Sequence, residues 1–112
     1  MLGQIVFLCI FAFTLTAISS SAYDTRATIR GRVTDSNKRA IVGAMVKAVK
    51  VETNQTTKAK TTTGGHFTLP NLDPGTYNLE VTAEGFKTLN RDHLDVRVAD
   101  KIDLTLEMKV DQ

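Results

Sequence analysis

Few residues in this chain have types and spacing suited to chemistry. The first candidates are Asp73 and Tyr77, four residues apart in "LPNLDPGTYNLEV", where a carboxylate beside a phenol could hold or move a proton. Tyr77, however, shares a strand face with Leu79 and Val81, which makes it a core aromatic whose hydroxyl reaches a backbone partner. Asp73 opens the run Asp-Pro-Gly-Thr. Pro74 pre-sets φ, Gly75 accepts a positive φ, and the Asp73 carboxylate caps backbone N–H groups, so the run predicts a type II turn. The stretch reads as scaffold.

The other candidates weaken in the same way. His66 and His93 are the only histidines, and neither has a ligand partner at the spacing a metal site needs. Asp92, Asp95, Asp100 and Asp103 could suggest calcium, but they lack the compact alternate-position loop of oxygen ligands. The interleaved Arg91, Arg97 and Lys101 instead favour a salted surface. Nucleophilic catalysis has no GxSxG elbow, and beyond residue 22 the chain has Ser36 as its one serine and no cysteine. "NQT" at Asn54 fits an N-glycosylation sequon, a triplet that chance often supplies. A sugar platform would need exposed aromatics. After residue 22 there are Tyr23, Phe67, Tyr77 and Phe86, with Phe67 and Tyr77 assigned to the core and Phe86 to the sandwich end. No metal, cofactor or catalytic residue is expected.

The elements that position these residues begin after an apolar segment. Leu2 to Ile18 carries no charge, and "IVFLCIFAFTLTAI" is followed by "SSSA", with Ser20 and Ala22 spaced as a signal peptidase requires. Residues 1–22 therefore read as a signal peptide cleaved after Ala22. An uncleaved membrane anchor is the alternative, because "MLGQ" lacks the usual basic residue. Cys9 lies inside this run, so no disulfide framework is available after cleavage. The formal net charge of +2 comes with interleaved signs, as in "RDHLDVRVADKIDLTLEMK", which excludes a basic nucleic-acid footprint.

From residue 27 onward the dominant period is two. Ile29, Gly31 and Val33 alternate with Arg30 and Arg32; Ala44, Val46 and Ala48 share a face, with a bulge expected near Val49 to Val51. "TTKAKTTT" suits an edge strand. Gly64 and Gly65 predict a two-residue hairpin turn. Phe67 and Leu69 point one way, Tyr77, Leu79 and Val81 follow, and "GFKTLNRD" runs irregularly into "LDVRV". Ile102, Leu104, Leu106 and Met108 line the last strand. The predicted core is Ile29, Val33, Val46, Phe67, Leu69, Tyr77, Leu79, Val81, Leu104 and Leu106. Many short strands with frequent turn signals and no helical segment indicate an all-β sandwich.

"IRGRVTDSNKRAIVGAMVKAV" followed by "TTTGGHFTLPNLDPGTYNLEVTAEGFKT" resembles the carboxypeptidase regulatory-like domain. The resemblance implies a seven-stranded, transthyretin-like Greek-key sandwich over 28–109, with 23–27 as linker and 110–112 as tail. Its flavour is similar to the N-terminal module of Oar-like TonB-dependent outer-membrane receptors, behind a signal peptide. Lys38 stands where the family favours glycine and Val42 where it favours proline, so that loop must turn differently, with Asn37 expected in a left-handed conformation. Thr62 stands where an aspartate would be common. Catalytic relatives of such sandwiches would show a C-terminal Tyr-Arg-Gly-Ser or paired iron-binding tyrosines and histidines; the sequence has neither. The expectation is a non-catalytic exported module. It would contact an envelope protein through a loop end or a strand edge such as Lys58 to Thr63, with a secreted carbohydrate-binding module as the alternative. Periplasm, outer membrane or extracellular space is the expected location, and the only membrane contact would be an uncleaved N-terminal segment.

Overall fold

In a computed structural model the described residues are 25–111, so residues 1–22, read above as a signal peptide, and with them Cys9, lie outside them, as does Tyr23. Alternating polarity resolves into β1 (Ala27–Thr34), β2 (Met45–Lys50), β3 (Thr56–Lys60), β4 (His66–Leu72), β5 (Gly75–Thr82), β6 (Leu89–Val96) and β7 (Lys101–Glu107). A sheet with one apolar face must cover it, and these strands do so as two layers ordered β4-β1-β7 and β3-β2-β5-β6. The result is an all-β Greek-key sandwich. β1 runs antiparallel to β4 and parallel to β7, from Thr28 opposite Lys101 to Thr34 opposite Glu107.

The core lies between the layers. Ile29, Val33, Val46, Phe67, Leu69, Tyr77, Leu79, Val81 and Leu106 are buried there, together with Ala27, Ile41, Ala44, Ala48, Leu72, Val96 and Met108. Leu104 departs from the expected core: it is half-buried, because β7 is the outer strand of its sheet and nothing flanks its far side among the described residues. Gly31 occupies a core-facing position of β1 where a Cβ would collide with the Leu104 carbonyl and meet the Phe67 ring at 3.0 Å. The missing side chain lets Phe67 lie across β1 and keeps β7 close.

Local geometry differs from the sequence reading at several turns. Gly64-Gly65 does not form a two-residue hairpin within one sheet, because β3 and β4 belong to different layers. Gly65 alone takes a positive φ, 74°, and the Gly65 N–H donates to Thr62 O at 2.9 Å, so the chain turns through three residues and changes sheet. The bulge expected at Val49 to Val51 is absent: β2 pairs in unbroken register to Lys50, and the chain then turns. The Asp35 to Ala44 loop turns on Lys38 (φ 64°) instead of Asn37, while Asp35 Oδ1 accepts from the N–H groups of Asn37 and Arg39 at 2.8 and 2.9 Å. β1 begins at Ala27, inside the stretch read as linker. Val110, read as tail, bridges to Phe86.

Candidate functional site

Asp73 and Tyr77 do meet, but through the backbone. The Tyr77 hydroxyl donates to the Asp73 carbonyl at 2.6 Å, and no side-chain contact joins the phenol to the carboxylate. Burial pushes the phenol pKa up, and the charges of Asp73 and Glu52 push it further. Such a phenol stays protonated and serves as a donor, not a base. The expected type II turn is not closed here. Its carbonyl is engaged by Tyr77, and its last N–H, on Thr76, donates to the Glu52 carboxylate at 3.1 and 3.4 Å. Gly75 has φ 158°, far from the ~80° of a type II turn. Glu52 is held below the usual carboxylate range, first by its own N–H, then by that of Thr76, with a further contribution from Lys50. The Val51 N–H donates to Thr76 O at 2.8 Å. Asp73, Pro74 and Gly75 thus form a corner pinned from the β2–β3 turn, a partner the local spacing could not reveal.

The remaining candidates are dispersed. His66 opens β4 and is exposed; His93 sits on β6 at a left-handed bulge, its N–H donating to Asn78 Oδ1 at 3.1 Å. Three of the four acidic residues have separate partners. Asp95 accepts from the Thr76 hydroxyl at 3.2 Å, Asp100 accepts from the Arg97 N–H at 2.9 Å, and Asp103 pairs with Arg30 at 2.7 Å. Among the described residues, no three His, Cys, Asp or Glu side chains cluster as a metal site would require. Phe86 is half-buried against the core at the end of the sandwich, which removes it as a sugar platform.

Two features escaped the sequence reading. Thr61, read as part of a polar edge, is buried: its hydroxyl donates to Ile41 O at 2.6 Å and accepts from the Ala44 N–H at 2.9 Å. It clasps the loop before β2, and β3 itself ends at Lys60. The second is a shallow groove of about 470 Å³ on the outer face of the three-stranded sheet, where cross-strand register groups Arg30, Thr68 and Asp103 beside Arg32, His66 and Thr105. Period two predicts that these side chains face outward, but only the pairing of β1 with both β4 and β7 brings them together.

The described residues thus form a two-layer sandwich whose candidate chemical groups are dispersed over turns and surface pairs. The carboxypeptidase regulatory-like domain family matches residues 28–109, and the chain belongs to that family. No curated protein matches the chain in sequence. Solved structures with the same fold include hydroxyquinol 1,2-dioxygenase from Pseudomonas putida, at TM-score 0.63 and 12% identity over 78% of this chain and 57% of that one. A Bacteroides uniformis protein assigned as carbohydrate-binding matches at TM-score 0.60 and 17% identity over 74% of this chain and 41% of that one. The group B streptococcus pilus 2b backbone protein matches at TM-score 0.57 and 20% identity over 76% and 41%. The chain spans no more than 57% of any of these three, and at such identities the likeness shows the fold alone.

Proposed function

We propose that this chain is a non-catalytic, exported accessory module that contacts a partner protein at the cell envelope, in the manner of the N-terminal domain of a TonB-dependent receptor. The observation that carries this reading is the pair of open sheets. Each ends in strands whose outer backbone groups no other described strand pairs with. The pilus backbone protein and the carbohydrate-binding assignment among the structural neighbours support a contact role in general terms. The uncharged run before Ala22 supports export. To test the contact, the exported chain is immobilised and exposed to envelope extract across a salt series, with retained proteins identified and competed off by soluble chain. No retained protein at any salt counts against partner binding. Sequence downstream of the Gln112 codon addresses the receptor reading directly, since an in-frame plug and barrel would be required.

The polar groove over β4, β1 and β7 favours a second reading, contact with a glycan, whose hydroxyls Arg32, His66 and Thr68 could meet. Binding on a glycan array that is lost in Arg32→Ala would support it, and an array without signal would dismiss it.

A further inference from the structure

Among the described residues, three of the four strand edges carry features that discourage pairing with another chain. β3 exposes Lys58 and Lys60. β4 contains Pro70 and the left-handed Asn71 (φ 57°) where its register with β1 shifts. β6 is bent by the left-handed His93 (φ 57°) where its register with β5 shifts. β7 exposes charge too, but of both signs, in Lys101, Asp103 and Glu107, and its backbone is regular: seven residues pair with β1 without a shift, and none is proline or has a positive φ.

The parity of β7 is fixed by its bonds to β1. The Thr28 N–H donates to Asp100 O at 2.9 Å and the Met108 N–H to Thr34 O at 2.8 Å, so even-numbered residues face β1. The N–H and C=O groups of Lys101, Asp103, Thr105 and Glu107 therefore face the open side. On the core side of the same strand, Ile102 and Leu104 are half-buried, as are Leu89 and Leu94 on β6, the outer strand of the other layer.

From this regular, open edge we infer that β7 pairs antiparallel with β7 of a second copy, about a two-fold axis at Leu104. The charge pattern selects this occupant. With Leu104 opposite Leu104 of the partner chain, Lys101 falls opposite Glu107 at both ends, and Asp103, already held by Arg30, falls opposite uncharged Thr105. The outward backbone groups are those of the opposed odd-numbered residues, which form the hydrogen-bonded pairs. The two three-stranded sheets become one continuous sheet, and Ile102 and Leu104 gain apolar neighbours. This deepens the protein-contact reading by naming one partner, and it can fail while that reading stands.

The test uses the full chain in a non-ionic detergent, so that the uncharged run Leu2 to Ile18 does not itself drive association. Sedimentation velocity over a concentration series should show a reversible dimer. Lys101→Glu and Glu107→Lys, each placing like charges in contact twice per dimer, should each weaken it about tenfold. The double swap K101E/E107K should restore it. Amide exchange at Asp103 and Thr105 should slow as concentration rises, while Leu104 and Leu106 stay protected throughout. A wild-type monomer at every concentration, equal association of the single and double variants, or concentration-independent exchange at Asp103 and Thr105 would overturn the inference. Retention of an envelope partner by such a monomer would leave the contact reading intact.

Discussion

At the scale of residues, two kinds of strain and satisfaction can be read directly. Lys38 and Ala99 hold left-handed backbone (φ 64° and 57°), a region that costs a side chain about 1 kcal/mol and glycine almost nothing. Lys38→Gly should therefore stabilise the fold by about 0.5 kcal/mol, measured by urea denaturation; a loss of stability would show that the loop is set by other contacts. Tyr77 makes the opposite case. Tyr77→Phe deletes the donor to the Asp73 carbonyl and should cost about 1 kcal/mol. The phenol pKa is raised in the folded state, so above the ordinary value of 10.0 the folded chain holds more protons than the unfolded one. The associated stability is complete below that pH and is lost as pH rises through the folded pKa; the Phe variant should lose less over the same alkaline range. Glu52 runs the other way. Its lowered pKa means a contribution present above 4.5 that fades as pH falls, and Glu52→Gln should flatten that acid limb.

At the scale of elements, the strands were legible because period two is a local property: β1, β5 and β7 show it within their own residues. Corners were not, because each depends on a partner far along the chain. The Asp73 to Thr76 corner is closed by Glu52, the β6 bulge by Asn78, and the loop before β2 by Thr61. No window of sequence around the corner contains those partners. Edge status was half legible. Lysine-rich β3 reads as an edge, whereas the outer position of β7 among the described strands and the half-burial of Leu104 follow from sheet order alone. Thr61→Val tests the clasp. It leaves the Ala44 N–H and the Ile41 C=O without the hydroxyl and should cost about 1 to 3 kcal/mol, with Thr61→Ser recovering most of the loss. Thermal unfolding of the two variants side by side would decide it, and equal stabilities would remove the clasp. Gly31→Ala should cost about 3 kcal/mol by pushing β7 from β1.

At the scale of the whole molecule, the two layers differ in how they must assemble. The four-stranded layer contains β2 with β3 and β5 with β6, neighbours in the chain whose pairing closes short loops. The three-stranded layer is completed by β1 with β7, residues 73 positions apart at Arg30 and Asp103. Long closure opposes that pairing until the rest of the core exists to reward it. The four-stranded layer should therefore form the folding nucleus, and β7 should dock late. Leu79 on β5 and Leu106 on β7 are both buried, so Leu79→Ala and Leu106→Ala should each cost about 2 to 5 kcal/mol at equilibrium. Their kinetics should separate: the first should mainly slow folding, the second mainly speed unfolding, read from stopped-flow chevrons. The same partition in both variants would sink the idea of a late β7. A strand that docks last also releases first, so pairing with a second β7 would hold it where the monomer is weakest. The unfolding rate of Leu106→Ala should then fall as protein concentration rises, while that of K101E/L106A should depend on concentration less.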